Sequence, residues 1–319
     1  MSEAIPHVGL SVLLVTYNHE SYVDQALESL FKQDYAGPVE LVVADDASTD
    51  GTLDRIRSYD GVDSRFVFKY LSGDNIGITR NYQRGFAECT GQYVAVLEGD
   101  DYWISPSKLS RQVRFLNEHW ECGLCSANYF VFYEESATFT ERTAIGTGHR
   151  LLGARDLIAD NLVGNFSTCL YRKSALDNLP TELFELKSYD WIVNICVARN
   201  SLIGFIEEPM SVYRIHASGA WSGFAHVEKL QLQLSLIPAY DKITRQTYHA
   251  EFTRLEHNLR RVILLAHGER LAGKLARPAL GVLVRLDEFM PPIILAIIRA
   301  LMPPIVTRQL LKIARRGRM

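Results

Sequence analysis

Apolar runs alternate with amphipathic helical segments through the first hundred residues, and no other feature constrains the fold as much. The runs Leu10–Val15, Val39–Ala44 and Tyr93–Leu97 are continuous, which is typical of strands buried on both faces of a parallel sheet. Between the first two runs, apolar residues in Val23–Phe31 recur at helical spacing. Strands that alternate with helices predict an α/β fold, with a mostly parallel sheet flanked by helices.

Length and composition narrow the class of protein. The 319 residues are 47% hydrophobic and 22% charged, which excludes a disordered or fibrous chain and allows one large domain or two smaller ones. A net charge of −3 argues against nucleic-acid binding by the whole chain. Five cysteines are too few for a disulfide framework, and residues 1–9 lack the basic and apolar segments of a signal peptide. We therefore expect a cytoplasmic protein.

The second half of the chain differs from the first. Strand-like segments at Cys122–Tyr133 and Leu202–Tyr213 are separated by a polar stretch, Glu134–Gly148, that we expect to form a loop. From about residue 225 onward, amphipathic helical runs follow one another. We therefore expect two domains, residues 1–223 and residues 224–319, of which the second is a helical C-terminal extension.

Polar side chains follow three of the predicted strands at the point where each strand ends. The clusters are Thr16-Tyr17-Asn18, Asp45-Asp46, and Glu98 with Asp100 and Asp101. Parallel strands present their carboxyl ends at one edge of a sheet, where ligands bind, so we expect the three clusters to share a site. Any one cluster alone is also explained as an ordinary polar loop.

The carboxylates after Tyr93–Leu97 favour a divalent cation. Asp100 and Asp101 are adjacent and Glu98 is close, so their charges repel one another unless a cation lies among them. Mg²⁺ and Mn²⁺ take such oxygen ligands and usually share them with substrate phosphates. The alternative is a solvated acidic turn in which one Asp caps a helix. At the second strand end, Asp45 and Asp46 can accept hydrogen bonds from a nucleobase or a ribose hydroxyl, and the alternative is a turn that caps the next helix.

In this order and spacing, the motifs resemble those of the family 2 glycosyltransferases, which have the GT-A fold and invert the anomeric centre. The matching segments are Ser11–Asn18, Val43–Thr52, Asn75–Gly77, Arg80-Asn81, Gly91–Trp103, Tyr189–Trp191 and Tyr213–His216. The resemblance implies a nucleotide-diphosphate sugar as donor, UDP-linked, and a glycan or lipid-linked saccharide as acceptor, as in cell-surface polysaccharide synthesis. The Gln-x-x-Arg-Trp motif of processive synthases is absent after Asp190.

The resemblance also implies roles for residues of the donor site. Tyr17 would lie against the nucleobase, Asp46 would bind its polar edge, and Asp45 would hold the ribose or the loop. Arg80 would lie near the base or the diphosphate. The residues that the resemblance assigns to nucleotide-sugar binding are Thr16, Tyr17, Asn18, Asp45, Asp46, Asn75, Arg80, Glu98, Asp100 and Arg214.

The resemblance assigns the metal site and the catalytic base as well. Glu98-Gly99-Asp100 is similar to the family's Asp-x-Asp, with Glu in the first place. The implied ligands of Mn²⁺ or Mg²⁺ are Asp100, Asp101 and His216, with Asp100 as the first choice and Asp101 as its rival. Asp190 corresponds to the general base that deprotonates the acceptor hydroxyl. The alternative role of Asp190 is the N-cap of the helix that follows it.

Two other functions stay open. A sugar-phosphate nucleotidyltransferase would also use paired carboxylates and a metal, but it usually has a Gly-rich basic loop where this chain has Thr16–Glu20. A non-catalytic, glycosyltransferase-like scaffold would be a degenerate relative, with Glu98 as its sign of decay.

The C-terminal tail combines apolar runs with basic residues. From Phe252 to Met319 there are 13 Lys/Arg against 4 Asp/Glu. The apolar runs Phe289–Ile298 and Ala300–Thr307 are each shorter than the roughly 20 residues that span a bilayer. We expect peripheral binding to the anionic cytoplasmic face of the inner membrane, and the main alternative is a homo-oligomer contact through this region.

Overall fold

The computed structural model describes residues 9–186, 190–219 and 225–266, in which a ten-stranded sheet is flanked by helices. The strands are β1 (Leu10–Thr16), β2 (Val39–Asp45), β3 (Phe66–Leu71), β4 (Tyr93–Glu98), β5 (Tyr102–Trp103), β6 (Cys122–Tyr133), β7 (Thr138–Glu141), β8 (His149–Leu152), β9 (Leu170–Arg172) and β10 (Leu202–Ile215). The helices are α1 (Val23–Phe31), α2 (Thr52–Ser58), α3 (Ile78–Glu88), α4 (Lys108–Glu118), α5 (Ala154–Ala159), α6 (Lys173–Asp177), α7 (Asp190–Val197) and α8 (His226–Ile243). Residues 249–266 are also helical, and short 3-10 helices lie at Phe166–Thr168 and Thr181–Glu185.

The sheet has the strand order β3-β2-β1-β4-β9-β6-β10-β5, and its first four strands are parallel. In register, Thr16 pairs with Asp45 and Val15 pairs with Glu98. The ends of β1, β2 and β4 are therefore level with one another, as the alternation of strands and helices predicts.

The second part of the sheet is mixed. Strand β9 is antiparallel to both of its neighbours, β4 and β6, whereas β6 and β10 form a long parallel ladder. Strands β5 and β8 pair antiparallel with β10, and β7 pairs antiparallel with β6. The long ladders are parallel, as predicted, but the short antiparallel strands have two to four residues each and leave little periodicity in the sequence.

The core lies on both faces of the parallel strands. Every residue of β1 is buried, and Val12 shares a core cluster with Leu27 of α1. On the alternate face, α3 approaches β1 so closely at Gly85 that a Cβ there would lie 2.4 Å from Leu13 Cδ1. Each fully buried aliphatic side chain contributes about 1.5–3 kcal/mol to the free energy of unfolding. This packing fixes the position of each strand and therefore the point where the strand ends.

The polar stretch Glu134–Gly148 is not the simple loop that its composition suggests. It contains β7, which pairs with β6 so that Phe132 is opposite Phe139, with ring centroids 4.6 Å apart. This aromatic cross-strand pair is a local reason for a strand in a polar segment.

Contacts divide the chain into two units. The first comprises residues up to 224 together with 236–253, and the second contains 225–235 and, among the described residues, 254–266. The domain boundary at residue 223 stays a prediction. None of the helices in the described ranges is long and apolar enough to cross a membrane. The apolar runs and basic cluster expected to bind a membrane or a second copy lie outside the described residues.

Candidate active site

The ends of β1 and β2 are tied together by hydrogen bonds to Asp45. One oxygen of its carboxylate accepts from Thr16 Oγ1 at 2.8 Å and from Ser48 Oγ at 2.5 Å, and the other accepts from Ser48 N at 2.9 Å. Asn18, in the left-handed region at φ 54°, accepts from Thr49 N at 2.8 Å. Of the two roles left open for Asp45, this geometry favours holding the loop. The donor-binding roles of Thr16 and Asn18 stay predictions.

Asp46 holds the segment that leads into α3. Its two carboxylate oxygens accept from Ile76 N at 2.9 Å and Gly77 N at 3.0 Å, and Asn75 Nδ2 donates to the Asp46 carbonyl at 2.9 Å. Gly77 has a φ of 84°, a conformation that a side chain would strain. Asp46 and Asn75 are thus brought together, and their contact with a nucleobase stays a prediction.

Tyr17 and Arg80 are the exposed members of the predicted donor site. Tyr17 is 47% exposed, so its ring is open to stacking by a planar ligand. Arg80 makes an ion pair with Glu185 at 2.7 Å, and both side chains are more than half exposed. Exposed pairs of this kind contribute little to stability, so Arg80 can exchange its partner at low cost.

Glu98 ends β4 in a cluster of carboxyl groups, of which Asp101 is buried and Glu98 and Asp100 are partly buried. Tyr82, which is buried in α3, donates to Glu98 Oε1 at 2.6 Å. Burial raises the pKa of Glu98 well above its usual value, and the charges of Asp101 and Asp100 raise it further. A cation near these groups would oppose that shift, because it stabilises the charged carboxylates.

Asp101 connects the loop after β4 to residues 165–167 and to β10 through hydrogen bonds. It is 1% exposed, and its carboxylate accepts from Asn165 Nδ2 at 3.0 Å, Ser167 Oγ at 2.7 Å and Arg214 N at 2.9 Å. Burial, followed by the charge of Asp100, raises the pKa of Asp101 to about 7. With its oxygens occupied in this way, Asp101 is the less suitable of the two rival metal ligands.

Asp100 faces two histidines. Its Oδ2 atom lies 3.0 Å from His216 Nε2 and 3.7 Å from His19 Nε2, and 18% of the Asp100 side chain is exposed. Burial by itself raises the pKa of Asp100, but the hydrogen bond with His216 and the charge of His19 outweigh it and hold the pKa below its usual value. His216 Nδ1 pairs with Ser218 Oγ at 2.9 Å, which fixes the ring.

His19 is a residue of this cluster that the sequence motifs did not single out. Burial lowers the pKa of its imidazole despite the nearby charge of Asp100, which favours the neutral ring. Its backbone N–H donates to Thr52 Oγ1 at 2.7 Å. The available signal was its position, directly after Tyr17 and Asn18 at the end of β1.

Arg214 packs against the backbone of the Asp100-Asp101 pair. Its Nε donates to the Asp100 carbonyl at 2.9 Å, and its guanidinium carbon lies 5.0 Å from the Tyr22 ring centroid and 5.5 Å from that of Tyr102. Only 8% of Arg214 is exposed, so its observed contacts position the carboxylates. Its contact with a donor stays a prediction.

Asp190 begins α7, and its Oδ2 accepts from Asn165 N at 2.8 Å and Asn161 Nδ2 at 3.2 Å. Burial raises the pKa of Asp190 above its usual value. Because Asn165 also donates to Asp101, one asparagine connects the proposed base to the carboxylates that follow β4. Asn165 lies in a stretch where the sequence has no motif, so nothing in the sequence indicates its role.

The side chains around Asp100 are of types that coordinate divalent metal ions. Asp100 offers a partly exposed carboxylate and His216 an oriented imidazole, both of which Mn²⁺ accepts. Within residues 9–186, 190–219 and 225–266, no three His, Cys, Asp or Glu side chains are already arranged as a metal site. Phosphate oxygens of a ligand would therefore have to complete the coordination.

Comparison with known sequences gives the family. The sequence model of Glycosyl transferase family 2 matches residues 11–179. An uncharacterized protein of Mycobacterium tuberculosis is 34% identical over 212 residues, which cover 66% of this chain and 60% of that protein. The teichuronic acid biosynthesis glycosyltransferase TuaG of Bacillus subtilis is 30% identical over 126 residues, which cover 40% of this chain and 48% of TuaG. The chain thus spans less than two thirds of the length of these relatives.

Solved structures share the fold at low sequence identity. S. aureus TarS in complex with UDP-GlcNAc has a TM-score of 0.56 and 19% identity, over 77% of this chain and 73% of that chain. A mannosyltransferase from Pyrobaculum calidifontis, in complex with GDP-Man and Mn²⁺, has a TM-score of 0.54 and 17% identity, over 86% and 80%. The predicted GT-A type of α/β fold is confirmed. Since the family's sequence model also covers more than half of the 319 residues, the chain belongs to glycosyltransferase family 2.

Proposed function

We propose that the protein is a metal-dependent, inverting glycosyltransferase that moves a sugar from a UDP-linked donor to a hydroxyl of a glycan or lipid-linked saccharide. The main support for the proposal is that two carboxylates from different parts of the chain, Asp190 and Asp101, are connected through one asparagine. Asp190 is held by Asn165, which also holds the carboxylate next to Asp100. A direct displacement at an anomeric carbon needs a carboxylate for proton transfer, for which Asp190 would serve, and one for the ion at the leaving group, for which Asp100, the neighbour of the connected Asp101, would serve.

Asp190 serves as the general base in this proposal. Catalysis by a base is most efficient when its pKa lies near the working pH, and burial raises the pKa of Asp190 in that direction. The hydrogen bonds from Asn165 and Asn161 both go to Oδ2 and orient the carboxylate. Asp190 would accept the acceptor hydroxyl proton as that oxygen attacks the sugar. Capping of α7 by the same residue can coexist with this role.

Asp100 and His216 would hold the divalent ion. When bound there, Mn²⁺ or Mg²⁺ supplies neutralisation of the charge that develops on the departing nucleotide diphosphate. The chain contributes the orientation of both groups, because Ser218 fixes the His216 ring and Arg214 holds the Asp100 carbonyl.

Tyr17 and Asp46 would receive the nucleoside. Tyr17 follows β1 and presents an exposed ring, and Asp46 follows the neighbouring strand β2 and fixes the Ile76-Gly77 backbone. A UDP-linked donor is supported by the UDP-GlcNAc bound to TarS, and a metal by the Mn²⁺ of the mannosyltransferase. A cell-surface polysaccharide as product is supported by the name of TuaG.

The proposal is tested by incubating the full chain with a panel of UDP-, GDP- and dTDP-sugars, Mn²⁺ and candidate acceptors. We expect release of UDP from a UDP-sugar, and loss of that release after chelation of the metal. The proposed activity is wrong if no nucleotide binds and no sugar nucleotide turns over. Release of pyrophosphate from a nucleoside triphosphate and a sugar phosphate would instead identify a nucleotidyltransferase.

A further inference from the structure

We propose that His19 is a ligand of the divalent ion and that it shifts the preference of the site from Mg²⁺ toward Mn²⁺. The inference rests on the proposed function, because it concerns the ion that accompanies the nucleotide diphosphate. It adds a residue from the end of β1 to the Asp100 and His216 pair.

Two imidazoles approach one carboxylate oxygen in the structure. Asp100 Oδ2 lies 3.0 Å from Nε2 of His216 and 3.7 Å from Nε2 of His19. The two rings are nearly perpendicular, with an interplanar angle of 80° and centroids 6.5 Å apart. The arrangement offers one oxygen and two nitrogen donors within a small space.

The fold leaves the ring nitrogens of His19 unused. In the described part of the chain, Nδ1 is buried without a hydrogen-bond partner, and the distance from Nε2 to Asp100 exceeds a hydrogen bond. His216, in contrast, uses both of its ring nitrogens, on Asp100 and Ser218. The nitrogen that faces Asp100 is Nε2, and at 3.7 Å it makes no hydrogen bond to that carboxylate, so Nε2 is the atom that can bind an ion there.

The chain nevertheless holds the His19 ring in place. The backbone N–H of His19 is tied to Thr52 Oγ1 at 2.7 Å. A Cβ on Gly99 would lie 2.8 Å from His19 Nδ1, so the glycine that precedes Asp100 makes the room for this ring. The side chain keeps 18% of its surface exposed. The ring is therefore positioned beside Asp100 and still accessible to a ligand.

Imidazole ligands change which ion a site prefers. Mg²⁺ binds almost entirely through oxygen and keeps several waters, whereas first-row transition ions also accept imidazole nitrogen. Among the described residues no complete metal site is formed in advance. The ion would draw together Asp100, His216 and His19 with the diphosphate oxygens, so binding has to be measured with UDP present.

The direct test is pulsed EPR on the wild-type chain with Mn²⁺ and UDP, which counts bound imidazoles through their nitrogen hyperfine couplings. We expect two imidazoles, one of which should disappear in His19→Gln and the other in His216→Gln. A wild-type spectrum with one imidazole or none overturns the inference while leaving UDP and Mn²⁺ binding, and thus the proposed function, intact. If the wild type binds neither UDP nor Mn²⁺, the inference and the proposed function both fail.

Variant affinities give a second test. In the presence of UDP, His19→Gln should lower the affinity for Mn²⁺ by about tenfold or more, since even the partners of metal ligands are worth about 10–100-fold. The affinity for Mg²⁺, measured by competition, should change much less. The matched control is His119→Gln, another partly exposed histidine beside a carboxylate, at 3.1 Å from Glu121. Equal losses for both ions, or no loss in a folded His19→Gln protein, contradict the inference.

Discussion

The two parts of the sheet build their share of the site in different ways. In the parallel part, β3-β2-β1-β4, hydrogen bonds join the loops that follow neighbouring strands, as where Asp45 accepts from Thr16, 29 residues away, and Asp46 accepts from Ile76, 30 residues away. In the mixed part, the hydrogen bonds join segments that lie further apart in the sequence, as where Asp101 accepts from Asn165, 64 residues away, and from the backbone of Arg214, 113 residues away. The parallel part carries the sequence motifs at the edge where a donor would bind. The mixed part holds these residues in place through contacts between distant segments of the chain.

This difference separates residues that contact a ligand from residues that hold them. Tyr17 and Asp100 are exposed enough to touch a donor, whereas Asp101 and Arg214 are buried behind hydrogen bonds. A substitution in the first group should therefore alter binding or turnover in a folded protein. A substitution in the second group should alter stability first.

The largest effect is expected for Asp190→Asn. The amide keeps the shape of the side chain but cannot accept the proton, and general-base catalysis is worth about 10²–10⁴-fold in rate. We expect kcat to fall by that range while the affinity for UDP and Mn²⁺ stays near the wild-type value. The control is Asp177→Asn, an exposed carboxylate paired with Lys173. Turnover near that of the wild type would show that Asp190 only caps α7.

Asp100→Asn should act on binding. Replacing the carboxylate removes a charged oxygen ligand, so we expect the metal-dependent affinity for UDP to fall by at least about tenfold, with turnover falling alongside it. Isothermal titration of UDP with and without Mn²⁺ separates the metal-dependent part. Unchanged Mn²⁺-dependent binding in a folded variant would remove Asp100 from the metal site.

Asp101→Asn should act on stability. An amide cannot accept all three hydrogen bonds that reach this buried carboxylate, and an unsatisfied buried donor costs about 1–3 kcal/mol. Urea unfolding at pH 8, above the pKa of about 7, should show this loss with little change in Mn²⁺ affinity. The opposite pattern, weaker Mn²⁺ binding at unchanged stability, would make Asp101 the ligand and reverse the assignment to Asp100.

A pH-dependent effect on stability is expected at Lys108, which lies in α4, a helix that contacts β6 and β9 of the mixed part of the sheet. It is fully buried, pairs with Gln112 Oε1 at 2.8 Å, and lies 4.3 Å from the Trp103 ring centroid. Burial lowers the pKa of Lys108 from 10.5 to about 7. Between pH 7 and 10.5 the unfolded chain therefore binds the extra proton, and the free energy of unfolding rises with pH by up to about 1.4 kcal/mol per unit.

Lys108→Met removes the titrating group and tests that slope. The free energy of unfolding of the wild type, relative to this variant, should rise between pH 7 and 9 and stay flat below pH 6, where Lys108 is charged in both states. Urea unfolding across this range measures the difference. A difference that does not change with pH would mean that the buried amine keeps its ordinary pKa.

The parallel part was predictable because its signals are local. Continuous apolar runs ending in polar clusters fix both the strands and the edge where they meet, and the register of Thr16 with Asp45 follows from them. The same reasoning could not find Asn165, whose partners lie 25 and 64 residues away in the sequence. Nor could it find β7, where a strand forms through an aromatic pair, Phe132 with Phe139, in a polar segment.

His19 lies within a recognisable motif, yet its contact with Asp100 could not be predicted from the sequence. Its position at a strand end was visible, but its approach to Asp100 depends on Gly99, 80 residues further along the chain, leaving room for the ring. Contacts of this kind arise from packing between strands that meet only in the folded sheet.

The most direct test of the account is a crystal structure of the full chain with UDP and Mn²⁺, using the anomalous signal of manganese to locate the ion. We expect an anomalous peak beside Asp100 and His216, between those residues and the diphosphate, with the uracil against Tyr17. A peak coordinated by Asp101 in place of Asp100, or UDP bound away from the ends of β1, β2 and β4, would contradict it.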